Sequence, residues 1–158
     1  MIAIGETAPE FTLPATGPAA TQGVLTLSSL RPAKVVLYFY PKDDTPGCTT
    51  EALDFTRLAA EFAATGTHVI GISKDTLARH DKFCTKHGLG ITLVSDADAD
   101  TCERYGTWGE KQNYGRSSMG IERTTVLIDS TGAVARLWPK VKVKGHADEV
   151  LQAARDLA

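Results

Sequence analysis

A solitary cysteine follows a turn-forming stretch at residues 40–51, which read YPKDDTPGCTTE. Cys48 has no partner at the CxxC spacing, because Glu51 occupies that position. Thr45 is typical of a helix N-cap and Pro46 of the first helical position, so the thiol is expected in the first turn of a helix. Free backbone N–H groups and the positive end of the helix dipole favour a thiolate there. The segment therefore predicts a reactive thiol.

Other residues could assist such a thiol. Gly47 has no side chain, so a small molecule can approach the sulfur closely, and the hydroxyl of Thr45 can turn toward the thiol or toward a bound substrate oxygen. Arg123 leads directly into the apolar run TTVLID and carries a charge that does not titrate away, which suits a thiolate and an anionic leaving oxygen. From the residues alone, a plain surface cation is an equally open interpretation of Arg123. Asp43 and Asp44 are interpreted as turn formers.

The chain has three cysteines among 158 residues, an odd number in a chain long enough to form its own core. This does not indicate a disulfide scaffold, and reduced thiols fit better. A zinc site built from CTKH at 84–87 and Cys102 is an alternative, but no second closely spaced ligand pair follows it. Cys84 and Cys102 could also be ordinary core thiols.

Composition and charge exclude several classes of protein. Apolar residues make up 42% and charged residues 23% of the chain, as in average globular proteins, so residues 1–158 are expected to form a single domain. A net charge of −2 gives no reason to expect nucleic acid or an anionic membrane as a partner. No apolar run is long enough for a membrane span, and MIAIGETAPEF lacks the basic start of a signal peptide. A cytoplasmic protein is therefore expected.

The elements predicted around the cysteine alternate as β-α-β-α-β, followed by a strand pair and a last helix. Strands are predicted at 34–40, 67–73, 91–96 and twice within 124–138; helices at 49–65, 75–88, 99–106 and 146–158; a surface turn at 14–23 and a loop rich in Gly and Ser before 124. The strands are almost continuously apolar, which favours a sheet covered on both faces. The fold class is therefore α/β and thioredoxin-like, with a central mixed sheet flanked by helices on both faces. Functional sites in such sheets lie where strands end and helices begin, as at Cys48.

The segment from Pro41 to Cys48 fits the Pro-x-x-x-Thr-x-x-Cys signature of peroxiredoxins. Three longer stretches resemble the peroxiredoxin Q (bacterioferritin comigratory protein) subfamily: YFYPKDDTPGCTTEA, YGTWGEKQNYGRSSMGIERTTVLID and WPKVKVKGHADEVL. The resemblance therefore covers nearly the whole chain. It implies a thioredoxin-like fold and a thiol peroxidase that acts on hydrogen peroxide and organic hydroperoxides without a metal, haem or flavin.

The resemblance also implies roles for individual residues. Cys48 becomes the peroxidatic cysteine, whose thiolate attacks the peroxide and becomes a sulfenic acid. Thr45 and Arg123 position the peroxide and activate the thiolate, and Pro41 shields the pocket. Glu51 matches a position that joins the arginine network.

The resolving cysteine is less clear from the resemblance. Many subfamily members carry it five residues after the peroxidatic one, where this chain has Leu53. Some members carry it in the following helix, where Cys84 lies, so Cys84 is preferred over Cys102 and over a one-cysteine mechanism. A disulfide needs Cα atoms within about 7 Å, so a Cys48–Cys84 bond between two helices is expected to require local unfolding.

The implied partners follow from this chemistry. Thioredoxin is the expected reductant of the disulfide, with glutaredoxin or glutathione as alternatives, and a monomer is expected. Phe39, Trp108 and Met119 are interpreted either as an apolar wall for organic hydroperoxides or as packing residues. Two other functions compete with this one: a protein thiol–disulfide oxidoreductase, which lacks its second cysteine here, and a thioredoxin-like redox sensor or holdase without peroxidase turnover.

Overall fold

The computed structural model describes residues 2–113 and 115–157 of the chain. The strands are β1 Thr12–Thr16, β2 Val24–Thr26, β3 Lys34–Phe39, β4 Thr67–Ser73, β5 Thr92–Ser95, β6 Trp108–Asn113, β7 Arg116–Ile121, β8 Thr124–Ile128 and β9 Val134–Trp138. The α-helices are α1 Pro46–Arg57, α2 Ala59–Ala64, α3 Leu77–His87, α4 Thr101–Arg104 and α5 His146–Asp156, and a 3₁₀ helix spans Leu27–Leu30.

Seven strands form one mixed sheet in the order β2-β1-β5-β4-β3-β8-β9. The central strands β3, β4 and β5 are parallel, while β8 pairs antiparallel with β3 and β9 antiparallel with β8. Parallel strands need crossover connections, which α1 with α2 and α3 supply. The architecture confirms the thioredoxin-like α/β fold predicted from the sequence.

Alternate residues of the central strands enter two separate cores, because successive strand side chains point to opposite faces of the sheet. On one face, Tyr38 of β3 packs with Phe55 of α1, Phe83 of α3 and Val150 of α5. The other core combines strand residues with α4 and the N-terminal segment; its members include Leu13, Leu37, Phe39, Ile72, Val126, Ile128, Cys102 and Tyr105. The helices α1 and α3, which carry Cys48 and Cys84, therefore pack on the same face.

The structure corrects three of the predicted elements. The helix predicted at 49–65 is divided at Leu58, whose backbone (φ −98°, ψ 1°) ends α1 before α2 begins. The loop predicted before residue 124 contains the antiparallel hairpin β6–β7. The predicted surface turn at 14–23 is entered by β1 and followed by β2. The helix predicted at 75–88 is confirmed as α3. It begins after Thr76, whose side chain caps it by accepting a hydrogen bond from the Arg79 N–H.

In the part of the chain that the structure describes, no helix has the length and apolar character that a membrane crossing requires.

Candidate active site

Cys48 lies in the first turn of α1, directly after the loop that follows β3. Thr45 has the extended backbone of an N-cap (φ −90°, ψ 155°), and Pro46 opens the helix as predicted. The Thr49 N–H donates to the Thr45 carbonyl at 2.8 Å, which closes the first helical turn around the cysteine. Only 1% of Cys48 is exposed, so the sulfur is buried in the first turn of α1, at the positive end of the helix dipole.

Arg123 joins Cys48 and Glu51 in one cluster. Its Nη2 donates to the Cys48 Sγ at 3.4 Å, and its Nη1 donates to the Glu51 Oε1 at 2.7 Å. The arginine backbone is held at the start of β8, where its carbonyl accepts from the Val141 N–H at 2.9 Å. A Cβ on Gly47 would lie 3.3 Å from Nη2, so the glycine leaves the guanidinium room beside the sulfur. The structure thus brings together the thiol and the cation that the sequence placed 75 residues apart.

Glu51 is buried one turn along α1 from the cysteine. Burial raises the pKa of Glu51 to about 7, although the charge and hydrogen bond of Arg123 oppose that rise. Its Oε1 accepts from Arg123, whereas its Oε2 has no hydrogen-bond partner among the described residues. The carboxyl group therefore changes charge near neutral pH, next to the cation that contacts the thiol.

Thr45 and Pro41 are half-buried on the loop that leads into the helix. The Thr45 hydroxyl makes no capping bond to α1 and donates instead to the Lys42 carbonyl at 2.8 Å. The hydroxyl oxygen still has lone pairs that can accept a hydrogen bond from a peroxide. The loop thus orders Thr45 internally, without relying on the helix.

Lys111 of β6 is a cationic residue of the site that the sequence did not reveal. Its aliphatic stem packs over Gly120 of the paired strand β7, where a Cβ would lie 3.1 Å from the lysine Cδ. Burial and the charge of Arg123 lower the pKa of Lys111, while Cys48 and Glu122 oppose that shift. Lys111 therefore lies near both Arg123 and the thiol. The sequence predicts a loop at this segment, so the pattern does not indicate that Lys111 belongs near the site.

The other two cysteines lie on opposite sides of the sheet. Cys84, half-buried on α3, packs against the same core as Cys48, and burial together with Asp43 and Asp81 raises the pKa of Cys84 to about 11. Cys102 is fully buried on α4 in the other core, where burial and Asp96 raise the pKa of that thiol. Because the sheet separates Cys84 from Cys102, the zinc site considered for them is not assembled.

The apolar residues considered as a substrate wall have different surroundings. Phe39 and Trp108 pack with the core on the face away from Cys48, where the Phe39 ring lies 5.1 Å from the Tyr105 ring. Met119 on β7 is 56% exposed. Phe39 and Trp108 are therefore packing residues, and the interpretation of these two side chains as a substrate wall is wrong.

A family model and curated relatives match this chain over most of its length. The AhpC/TSA family model matches residues 4–137. Peroxiredoxin Bcp of Bacillus subtilis is 42% identical over 158 residues, which cover 99% of this chain and 98% of that protein. Peroxiredoxin Bcp of Xanthomonas campestris is 50% identical over 121 residues, which cover 77% and 76%.

Solved structures of similar sequence also share the fold of this chain. The bacterioferritin comigratory protein of Xanthomonas campestris, solved in a study of its alkyl peroxide reduction activity, is 42% identical with a TM-score of 0.84, covering 92% of this chain and 90% of that one. A cysteine-to-serine variant of Xylella fastidiosa PrxQ is 39% identical with a TM-score of 0.90, covering 99% and 97%.

Proposed function

Since this chain belongs to the AhpC/TSA family, and within it to the peroxiredoxins of the Bcp (peroxiredoxin Q) type, we propose that Cys48 is the cysteine that attacks the peroxide. The chain is a thiol-dependent peroxidase. The observation that carries the assignment to Cys48 is the 3.4 Å contact between its Sγ and the Arg123 Nη2, made in the first turn of α1.

In the first step, the Cys48 thiolate attacks the terminal oxygen of the hydroperoxide. The S–O bond forms as the O–O bond breaks, and the sulfur is oxidised to a sulfenic acid while the peroxide is reduced. The leaving alkoxide or hydroxide takes up a proton and departs as an alcohol or water. Negative charge spreads from sulfur to the leaving oxygen, and Arg123 with the helix N–H groups stabilises it in place. The loop residues Thr45 and Pro41 position and shield the peroxide.

Glu51 orients Arg123 in this scheme. Its carboxyl accepts from Nη1 at 2.7 Å, which leaves Nη2 directed at the sulfur. A bidentate guanidinium can serve both groups at once, which a lysine ammonium cannot do with the same geometry.

Cys84 is the resolving cysteine in our proposal, because it shares a sheet face with Cys48. Cys48 belongs to the same buried cluster as Tyr38, and the half-buried Cys84 packs against that cluster. A disulfide between them needs no passage through the sheet. Cys102 lies across the sheet, so its thiol would have to leave one core and enter the other.

The second step forms the disulfide. The Cys84 sulfur attacks the Cys48 sulfur, the S–O bond of the sulfenic acid breaks, and the hydroxide leaves with the Cys84 proton as water. Neither thiol is freely exposed, since Cys48 is 1% accessible and Cys84 half-buried, so the first turn of α1 and the facing part of α3 unwind for the sulfurs to meet.

An external dithiol completes the cycle by reducing the disulfide to two thiols. We assign this role to thioredoxin, with glutaredoxin and glutathione as the alternative reductants, and we place the enzyme in the reducing cytoplasm as a monomer.

A coupled assay tests the assignment of Cys48. NADPH, thioredoxin reductase and thioredoxin are mixed with hydrogen peroxide or an alkyl hydroperoxide and the purified protein. Cys48→Ser is expected to abolish peroxide-dependent NADPH loss, whereas Cys102→Ser, altered on the other face of the sheet, is expected to turn over like wild type. Turnover that survives Cys48→Ser would refute the assignment, and a wild-type protein that is oxidised once but never turns over would favour a redox sensor instead.

A further inference from the structure

Two acidic residues in the loop before α1, Asp43 and Asp44, contact α3 at several points. The first turn of α1 carries Cys48, and α3 carries Cys84. The loop therefore connects the two segments that must change shape if Cys84 is to reach the oxidised sulfur. The sequence offered no function for either acid beyond turn formation.

Asp43 is buried, and both of its carboxylate oxygens and its backbone N–H make hydrogen bonds. Its Oδ1 accepts from the Tyr40 hydroxyl at 2.6 Å, and its Oδ2 lies 2.7 Å from the Nδ1 of His80 on α3. Its backbone N–H donates to the Oδ2 of Asp75, just before α3, at 2.9 Å. His80 is completely buried, and its Nε2 lies 2.9 Å from the Val94 carbonyl on β5.

Both ring nitrogens of His80 are hydrogen-bonded. A carbonyl only accepts, so the His80 Nε2 must donate to Val94. The 2.7 Å contact between Nδ1 and the Asp43 Oδ2 is a second buried hydrogen bond of the same imidazole. Asp43, Asp75 and His80 also lie close enough to be considered as metal ligands. However, a nitrogen and an oxygen bound to one tetrahedral zinc ion are about 3.3 Å apart, whereas the 2.7 Å contact here is that of a hydrogen bond.

Asp44 makes the outer contacts with α3. Its Oδ2 accepts from the Lys86 ammonium at 2.7 Å, and its Oδ1 lies 2.9 Å from the His87 Nε2. Asp44 reaches them from a left-handed backbone conformation (φ +61°), which aspartate tolerates better than most residues. Along α3, His80 lies one turn before Cys84 and His87 one turn after it, so the contacts flank the second cysteine on both sides.

We propose that Asp43 and His80 are positioning residues of the peroxidase cycle. Together with Asp44, Lys86 and His87 they form an acid clasp that holds the Cys48 turn closed against α3, and release of the clasp sets the rate of Cys48–Cys84 disulfide formation. This inference rests on the proposed roles of the two cysteines. Attack on peroxide needs the closed turn beside Arg123, while disulfide formation needs it open. Weakening the clasp therefore moves the two rates in opposite directions.

The test measures the two steps separately in the full-length protein. Asp43→Asn and His80→Asn are mixed with hydrogen peroxide and quenched at intervals, and intact mass spectrometry follows the sulfenic acid and then the disulfide. Loss of a charge-assisted buried bond is expected to speed disulfide formation about 10- to 100-fold, while the first oxidation slows. Faster resolution also leaves less time for a second peroxide, so less Cys48 sulfinic acid accumulates per turnover.

Two milder variants keep the test decisive if a buried substitution prevents folding. Tyr40→Phe removes one bond to Asp43. The exposed change Asp44→Asn removes the negative charge and one of the two acceptor oxygens of the outer contacts. Each variant is expected to shift both rates in the same directions by a smaller factor. Val134→Ala, in the core on the other side of the sheet, lowers global stability without touching the clasp. It is expected to leave the ratio of the two rates unchanged, as is Glu61→Gln, which loses only a surface pair.

The outcomes separate the clasp from the cycle on which it rests. If wild type forms the Cys48–Cys84 disulfide but Asp43→Asn, His80→Asn, Tyr40→Phe and Asp44→Asn form it no faster, the clasp is refuted while the proposed function stands. Slower disulfide formation in the variants would also overturn the proposal, because the contacts would then hold the cysteines together. If wild type turns over without that disulfide, the proposed resolving role fails first.

Discussion

Replacing Arg123 with methionine removes the cation that contacts the Cys48 sulfur and keeps a side chain of similar length. The Arg123 side chain is only 18% exposed, so solvent screens its charge weakly. With an effective dielectric constant of about 20, a full charge pair at the observed 3.4 Å is worth about 5 kcal/mol. Part of this is already present in the free thiolate, and Glu51 offsets another part when it is ionised. The net loss in the transition state is therefore about 2–4 kcal/mol, a 30- to 1000-fold slower reaction with peroxide.

The fold is expected to survive this substitution. Without Arg123, Glu51 loses the charge that opposes the rise in its pKa, so its carboxyl is protonated at neutral pH and no unpaired buried charge remains. Arg123→Lys keeps a charge but cannot reach both Glu51 and Cys48 in one geometry, so it is expected to lie between methionine and wild type.

Stopped-flow mixing in the Cys84→Ser background isolates the first step, because that background cannot form the Cys48–Cys84 disulfide. The second-order rate constant with hydrogen peroxide is compared for Arg123→Met, Arg123→Lys and Arg104→Met, an exposed arginine that pairs with Asp100. Arg104→Met should match its parent. A rate constant for Arg123→Met within about threefold of its parent would refute the electrostatic reasoning, since the change would then be below about 0.7 kcal/mol.

Three further substitutions test the packing and charge of the site. Because folding raises the pKa of Glu51 from 4.5 to about 7, its protonated carboxyl adds to the free energy of unfolding below pH 4.5, and this contribution is lost as the pH rises through 7. Urea unfolding at pH 5 and 8 should therefore show that Glu51→Gln loses up to about 3 kcal/mol less stability over this range than wild type does. Equal losses in the two proteins would contradict the raised pKa. Gly47→Ala places a Cβ 3.3 Å from the Arg123 Nη2; the rate with peroxide should fall about 3- to 10-fold with little change in the urea midpoint, and an unchanged rate would show that the guanidinium position is not critical. Gly71→Ala places a Cβ 2.7 Å from the Tyr38 ring; urea unfolding should show a loss of about 1–3 kcal/mol, and wild-type stability would mean that the ring can move aside.

The elements predicted correctly are those with a strong local pattern. The buried strand β3, the N-terminal signals of α1 and the left-handed Gly88 that ends α3 all follow from neighbouring residues. The hairpin β6–β7 was missed because its described side chains on β7 are largely exposed and polar, so no apolar alternation marks the strands. The division between α1 and α2 at Leu58 was missed because the apolar stripe continues across it.

The residues of the site also differ in whether neighbouring residues in the sequence indicate their role. Cys48, with its turn and helix, could be predicted because the residues that make its environment are adjacent in sequence. Arg123 could be named from the residues only as a candidate cation, and the family resemblance was needed to prefer it over a surface cation, since proximity across the sheet leaves no local signal. His80 falls within the helix predicted at 75–88, but its pairing with Asp43 depends on how α3 packs against the loop after β3. Lys111 could not be found because its position depends on the unpredicted hairpin.

Mapping the oxidised cysteines tests whether Cys48 reacts with the peroxide and Cys84 then forms the disulfide with it. The wild-type protein is treated with one equivalent of hydrogen peroxide, alkylated, digested without reduction and examined by mass spectrometry, in parallel with Cys84→Ser and Cys102→Ser. A Cys48–Cys84 peptide is expected in wild type and in Cys102→Ser. Cys84→Ser should consume one equivalent of peroxide but lose thioredoxin-supported cycling. Sustained turnover of wild type without that peptide, or a Cys48–Cys102 peptide in its place, would contradict the assignment of Cys84 as the resolving cysteine.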